Sequence, residues 1–378
     1  MEVTVGMPWR LDWDLSGFAK RVTAIFSAIS DLGVDVTIYC LGPRKEGLKF
    51  KVKSLSVNSV SEDDVFSPLF NSLGFSHEFA KHANQDKKVF IHCFNTTSLF
   101  LSNKQYLFET ANPTYAYAMD AVKDEYPKTE KYRRFLKYYS TVKEIERIEY
   151  EKATLIIASS EVVKNNILRY YEVDKDIIKV IPNGVTPEQC NFNRPPKSKD
   201  MNIVLFPGTV HVMKGFHYLV DAMMKVRKEL PNTILLVCGR LHPFESDIFE
   251  NLIRRMRKKS GIALTGYLPQ TKLHHYYHMA DVCCIPLLFG TMSNALLESL
   301  AHGLPIVTTA HSGFPEIDKV GIEVTPKDSG AIAEAIITLI SNPKMCKKKS
   351  ENAQKIIKNY YWTDISKKFT EIYSSYQN

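Results

Sequence analysis

Short apolar runs alternate with amphipathic segments along the chain, and this alternation predicts buried strands separated by helices. Apolar positions at helical spacing predict helices between residues 18 and 32 and between residues 129 and 152. Strands that alternate with helices are typical of parallel α/β sheets. In the first half, the apolar runs predict strands at residues 2–6, 34–40, 89–92, 106–109, 153–160 and 178–185.

The pattern begins again after residues 193–200, a stretch rich in proline, lysine and serine that we interpret as a linker. A helix that ends near residue 230 accompanies the strands of this second half. These strands are predicted at residues 202–208, 234–239, 282–286 and 306–309. The restart predicts two doubly wound, Rossmann-like α/β domains, residues 1–192 and 201–359, that face a cleft.

The most informative unit of the second half is residues 280–316, which read as strand, polar loop, helix, Gly-Pro turn and strand. Thr291, Ser293 and Asn294 are all able to cap the start of the helix. In such a βαβ unit the loop and the helix N-terminus lie at the carboxyl edge of the sheet, where small ligands bind. Glu298 follows one turn inside the helix, so it is positioned to face a ligand.

The composition, with 44% hydrophobic and 24% charged residues among 378, is that of an ordinary globular protein. No run approaches the roughly 18 apolar residues of a membrane span, and the first residues lack the features of a signal peptide. We therefore expect a cytoplasmic protein. The seven cysteines are scattered and odd in number, which favours buried free thiols over disulfides or zinc ligands.

The net charge of +8 is spread over lysine clusters that share no periodicity, so solvated faces are favoured over an anionic membrane surface or nucleic acid. We expect no nucleic-acid partner. The helix at 129–152 carries basic residues beside aromatic ones, which leaves peripheral association with the inner face of a membrane open.

Two features in the first half of the sequence can each be interpreted in two ways. The pair Ser16-Gly17 either brings backbone N–H groups to a phosphate or acceptor at a helix start, or forms an ordinary turn. His92, which follows a predicted strand end, is either a site residue or a hydrogen-bonded loop histidine.

Several short phrases occur together in the order and spacing of a known family. They are Ala-Ser-Ser-Glu at 158–161, Ile-Pro-Asn-Gly-Val at 181–185, Gly-Tyr-Leu-Pro at 266–269, Gly-Leu-Pro at 303–305 and Gly-Phe-Pro-Glu at 313–316. Over nearly its whole length the chain resembles the family-four glycosyltransferases of the GT-B architecture. In that family the C-terminal segment, here residues 360–378, crosses back onto the first domain.

The resemblance implies transfer of a hexosyl group from a UDP- or GDP-linked donor to a glycan, lipid-linked or small-molecule acceptor. Retention of configuration is implied, without a metal or another bound cofactor. It makes Lys214 and Glu298 the catalytic pair, with Lys214 at the donor diphosphate and Glu298 on the ribose hydroxyls. A lysine ammonium suits a leaving diphosphate, which gains negative charge. The other implied donor contacts are Gly17, Gly208, Thr209, Gly239, Tyr267, Leu268, Gly290, Thr291, Met292, Ser293 and Asn294.

Some positions depart from the family pattern. Gly290 stands where the family has a glutamate that contacts the donor sugar, and Thr209 where it has an arginine that accompanies the lysine. Ser16-Gly17 replaces a double glycine, and residues 110–112 lack the histidine of the first domain. These departures keep a second hypothesis open, a homologue with weakened catalysis that serves as a partner or regulatory subunit of another glycosyltransferase.

Overall fold

The chain divides into two compact units, Met1–Gly184 with Trp362–Asn378, and Val185–Tyr361. We call them the first and the second unit. The predicted linker, residues 193–200, lies outside the described residues. The computed structural model describes residues 1–11, 17–43, 47–57, 66–85, 90–102, 105–110, 115–187, 201–257 and 261–377.

The described part of the first unit forms a seven-stranded parallel sheet in the order β3-β2-β1-β4-β5-β6-β7. The strands are β1 (Glu2–Arg10), β2 (Asp35–Leu41), β3 (Lys51–Ser54), β4 (Phe90–Phe94), β5 (Tyr106–Glu109), β6 (Leu155–Ala158) and β7 (Ile178–Val180). The helices that precede the linker are α1 (Gly17–Asp31), α2 (Ser67–Ala83), α3 (Tyr115–Val122), α4 (Glu130–Lys152) and α5 (Glu161–Tyr170).

The described part of the second unit forms a six-stranded parallel sheet in the order β10-β9-β8-β11-β12-β13. The strands are β8 (Asn202–Pro207), β9 (Thr233–Cys238), β10 (Ile262–Leu264), β11 (Val282–Ile285), β12 (Ile306–Thr308) and β13 (Gly321–Glu323). The helices are α6 (Phe216–Glu229), α7 (Ser246–Arg257), α8 (Gln270–Met279), α9 (Asn294–Ala301), α10 (Ile317–Val320), α11 (Ser329–Ser341) and α12 (Pro343–Ile356).

Both sheets are doubly wound, as the hydrophobic pattern predicted. In the second unit the strand order reverses between β8 and β11, so the chain leaves these two neighbours in opposite directions along the sheet. Ligands of open α/β sheets bind at such a switch point, outside the carboxyl ends of the strands. The loops after β8 and β11 are therefore the first place to look for a site.

The last helix, α13 (Trp362–Gln377), belongs to the first unit and packs on α1. Phe369 and Tyr373 lie in the same apolar core as Phe26 and Phe90. The Tyr373 hydroxyl is 2.8 Å from Nδ1 of His92, which joins the helix to the middle of the sheet. The return of the C-terminal segment onto the first domain is confirmed.

A buried polar network lies beside this helix. Arg21 donates from Nε to Glu109 Oε1 at 2.6 Å, and from Nη1 to the Pro182 carbonyl at 3.1 Å and to the Asn183 side chain. Nε2 of His92 is 3.0 Å from Glu109 Oε2. The Pro-Asn-Gly turn therefore supplies hydrogen-bond acceptors for a buried guanidinium. The predicted position of His92 was wrong, because this residue lies inside β4 and not past its end.

The apolar pattern misses three short strands, β3, β10 and β13, which all lie at sheet edges. An edge strand of three or four residues presents few inward side chains. In β3 only Val52 is buried while both flanking lysines, Lys51 and Lys53, are exposed. The pattern there is too short to be told from a solvated lysine cluster.

Helix α4 buries Tyr132, Phe135 and Tyr139, in agreement with the apolar spacing that predicted this helix. It also buries Glu146 and Glu149, which the hydrophobic stripe did not reveal. Burial raises the pKa of Glu146 to about 8 and that of Glu149 to about 7. No helix in the described ranges is long and apolar enough to cross a membrane.

The six cysteines within the described segments are free thiols, as predicted. Five of them are buried and Cys346 is half-buried, while Cys190 lies outside the described residues.

Candidate active site

Three loops of the second unit meet at the carboxyl ends of β9, β8 and β11. A Cβ at Gly239, which follows β9, would overlap the carbonyl oxygen of Gly208, which follows β8. A Cβ at Gly215 would overlap the carbonyl oxygen of Pro286, which follows β11, and Gly215 has a φ of +64°. Only glycine permits such close contacts between backbones, so the three loops pack directly against one another at the switch point.

Lys214 ends a single 3-10 turn, Val212–Lys214, that Gly215 terminates in a left-handed conformation. A Cβ placed at Gly208 would lie only 2.6 Å from Lys214 Nζ. The glycine therefore leaves room for the ammonium group. Removal from water lowers the pKa of Lys214 to about 8, against the opposing effect of the Glu298 carboxylate. Lys214 and Glu298 therefore act on each other electrostatically.

Glu298 lies on α9 and is only 7% exposed. The Tyr277 hydroxyl of α8 donates to its Oε2 at 3.0 Å. Burial and the neighbouring Glu298 carboxylate raise the pKa of Tyr277 well above its usual value, so the hydroxyl stays a donor. Tyr277 therefore fixes the position of the carboxylate.

A histidine pair supports Tyr277 and Glu298. The His302 ring stacks on Tyr277 with centroids 4.8 Å apart, and its Nδ1 donates to the Glu298 carbonyl at 2.7 Å. Nε2 of His302 then accepts from Nδ1 of His274 at 2.8 Å. Burial lowers the pKa of His302 to about 4, which keeps the ring neutral in this arrangement.

The loop between β11 and α9 carries the remaining predicted donor contacts of this region. Ser293 occupies the N-cap position of α9, and its side chain makes no capping hydrogen bond. Met292 is buried, while Thr291 and Asn294 are partly exposed on either side of it. A Cβ at Gly290 would lie 3.2 Å from the His311 carbonyl oxygen, so a larger residue there needs a small shift of the loop.

The other predicted contacts lie in three places. Thr209 is half-buried next to Gly208, in the loop that carries Lys214. Tyr267 and Leu268 follow β10 at the sheet edge, where Tyr267 is 48% exposed and its ring is available for stacking. Gly17 begins α1 in the first unit.

Sequence reasoning missed Tyr277 and His302 as supports of the site. The signal that points to them is the run of ring side chains from 274 to 278 on α8, at a spacing that places residues 274, 277 and 278 near one another on the helix surface. Nothing in that run identifies Glu298 as the partner, because the pair joins two helices.

The two sheets and the site at the switch point define a two-domain α/β protein of the GT-B class. The Glycosyltransferase Family 4 model matches residues 15–189, and the Glycosyl transferases group 1 model matches residues 188–356. The chain therefore belongs to the family-four glycosyltransferases.

Relatives and solved structures agree with this assignment. An uncharacterized glycosyltransferase of Methanocaldococcus jannaschii is 28% identical over 254 residues, 62% of this chain and 64% of that protein. The GPI3 subunit of phosphatidylinositol N-acetylglucosaminyltransferase from Saccharomyces cerevisiae is 26% identical over 238 residues, 58% of this chain and 50% of that protein. Each match thus spans less than two-thirds of the relative's length.

The structure of sucrose-phosphate synthase from Thermosynechococcus elongatus superposes with a TM-score of 0.80 at 19% identity, covering 99% of this chain and 98% of that one. HepE of Anabaena, in complex with UDP and glucose, has a TM-score of 0.75 at 15% identity, covering 99% and 100%. At these identities the likeness concerns the fold.

Proposed function

We propose that this chain is a retaining glycosyltransferase that moves a hexosyl group from a UDP- or GDP-sugar to a glycan, lipid-linked or small-molecule acceptor. The observation that carries the proposal is Lys214, whose ammonium group lies against Gly208 at the switch point of the second sheet. A partly desolvated cation there matches the charge of a leaving nucleoside diphosphate.

The chemistry follows from the residues around this cation. Departure of the diphosphate places negative charge on the β-phosphate, and a cation held at a fixed position stabilises that charge without first reorganising. In this proposal Lys214 takes the role that a metal ion has in other transferases. Glu298 accepts two hydrogen bonds from the ribose hydroxyls, and Tyr277 holds the carboxylate in the orientation that this requires.

The comparisons support the class of donor. HepE of Anabaena, which shares the fold, was crystallised with UDP and glucose, and the yeast relative is named as a subunit of an N-acetylglucosaminyltransferase. Tyr267, exposed after β10, is our candidate for stacking on the nucleobase.

Calorimetric titration with UDP and with GDP tests the proposal. We expect one of the two nucleotides to bind at one site per chain, and more weakly to Lys214→Ala and Glu298→Ala. A screen of nucleotide-sugars by mass spectrometry is then expected to find transfer or donor hydrolysis at the same rate with and without added Mg²⁺.

Two results would count against this function. If neither nucleotide binds and the two variants behave as the wild type, the site is not a donor site. If a nucleotide binds but no nucleotide-sugar is turned over, the second hypothesis, a partner or regulatory subunit, replaces the first.

Tyr277→Phe is expected to weaken nucleotide binding about tenfold, the effect of losing one hydrogen bond to a charged group of about 1.5 kcal/mol. The ring remains stacked on His302, so the fold is retained. Tyr276→Phe, next to it on α8, is the control and should bind as the wild type. Equal affinities for the two variants would show that Tyr277 does not position Glu298.

A further inference from the structure

A group of side chains that can act as metal ligands lies in the second unit, in the loops that follow β8 and β9. One ligand atom from each of His211, His242 and Glu245 lies within 4.8 Å of the other two. His211 precedes the 3-10 turn that ends at Lys214, and His242 precedes a second 3-10 turn, Pro243–Glu245.

The backbone holds these two loops together. The Val210 N–H donates to the Arg240 carbonyl at 2.8 Å, and the His242 N–H donates to the Val210 carbonyl at 2.9 Å. Val210 and Leu241 form a parallel bridge that extends the pairing of β8 and β9. The three side chains thus project from a fixed frame, which is what a ligand set requires.

Two hydrogen-bond acceptors face each other inside this group. Nδ1 of His211 accepts from the Met213 N–H at 3.2 Å, so this nitrogen carries no proton. Glu245 Oε2 accepts from the Val212 N–H at 2.8 Å, and its Oε1 lies 3.3 Å from His211 Nδ1. The imidazole nitrogen has one lone pair, which is directed at the Met213 N–H, so an ion bound by Nδ1 would take the place of that hydrogen bond.

Two of the three side chains are shielded from water. Glu245 is wholly buried and His211 is 8% exposed. The acceptor role of Nδ1 makes His211 a neutral imidazole, which is the form that binds metals.

One pair of ligand atoms has a suitable spacing. A tetrahedral ion with bonds of about 2.0–2.1 Å holds two ligand atoms about 3.4 Å apart. His211 Nδ1 and Glu245 Oε1 are 3.3 Å apart, and the ligand atom of His242 lies within 4.8 Å of the other two. Two imidazoles and one carboxylate suit Zn²⁺ better than Mg²⁺ or Ca²⁺, which prefer oxygen ligands.

We propose that His211, His242 and Glu245 bind a divalent transition-metal ion, with Zn²⁺ the best match. The ion joins the loop that ends at Lys214 to the loop after β9. None of the three ligands is a proposed donor contact, although His211 shares a loop with Thr209 and Lys214. Occupation of the site is measured without any turnover.

The test uses the full chain freed of metal with a chelator and titrated with Zn²⁺ by calorimetry and with Co²⁺ by visible absorption. We expect one ion per chain, a tetrahedral Co²⁺ spectrum, and a melting temperature that rises with Zn²⁺ concentration. His211→Asn and Glu245→Gln should each lower the Zn²⁺ affinity by at least about tenfold, since even outer-shell changes cost that much.

These variants are chosen to fold. Asparagine is a good N-cap, so it can accept from the Met213 N–H in place of the imidazole, and the glutamine oxygen can accept from the Val212 N–H. His275→Ala, an exposed histidine on α8, is the control and should bind as the wild type. Absence of stoichiometric binding in the wild type, or unchanged affinity in His211→Asn, overturns the proposal.

Discussion

Replacing Lys214 with methionine is expected to lower the rate of sugar transfer by at least about 100-fold, the usual effect of removing one fixed group that stabilises transition-state charge. Methionine keeps an unbranched side chain of similar shape against Gly208, so the second unit should retain its circular dichroism spectrum and its thermal stability. Lys228→Met, an exposed lysine on α6, is the matched control and should keep wild-type activity.

The pH dependence makes this prediction sharper. Because burial lowers the pKa of Lys214 to about 8, the ammonium form is present below that pH and is lost above it. The value of kcat/KM, which reports ionisations of the free enzyme, should therefore fall as the pH rises through about 8. Lys214→Arg keeps its charge at every accessible pH, so residual activity in this variant should lack the alkaline decline.

Two results would remove Lys214 from the mechanism. One is a methionine variant with a rate within a few-fold of the wild type. The other is an alkaline decline that persists unchanged in Lys214→Arg, because another group must then be responsible for it.

Glu109→Ala is expected to destabilise the first unit by about 3–5 kcal/mol, because it leaves the Arg21 guanidinium buried without its ion partner. Two further contacts of the network depend on the same carboxylate, since His92 also borders it and Tyr373 binds His92. Limited proteolysis should then cut within α13 more readily than in the wild type.

The chain offers a direct readout of this change. Residues 185–361 contain no tryptophan, and the described tryptophans Trp9 and Trp362 belong to the first unit, so tryptophan fluorescence during urea unfolding reports on that unit. Glu130→Ala, which removes an exposed ion pair with Arg133 on α4, is the control and should leave the urea midpoint unchanged.

A double variant separates loss of an ion pair from loss of packing. Arg21→Met in the Glu109→Ala background removes the uncompensated charge, so it should recover part of the lost stability. If the double variant is less stable than Glu109→Ala alone, the guanidinium contributes through its contacts to Pro182 and Asn183 and not through the ion pair.

The central strands of both sheets could be predicted from the sequence, because a parallel strand covered on both faces is a continuous apolar run. β1 and β8 are examples, with buried residues through most of their length. The edge strands β3, β10 and β13 do not have such runs, and the pattern did not reveal them.

The residues of the candidate site divide in the same way. Glu298 stands out because it lies one turn inside a helix that follows a polar loop, and Lys214 was predicted from the family resemblance. Their partners do not stand out, since Tyr277 meets Glu298 across two helices and 21 positions of sequence. Arg21 and Glu109 are 88 positions apart. Such pairs depend on how elements pack, which no local periodicity records.

The return of α13 to the first unit constrains the order in which the protein matures. A ribosome must synthesise all of Val185–Tyr361 before it reaches the helix that contributes Phe369 and Tyr373 to the core of the first unit. Until then the surface of α1 and β4 that this helix covers stays open on the nascent chain. The unit made first is therefore completed last, and the second unit can finish folding before it.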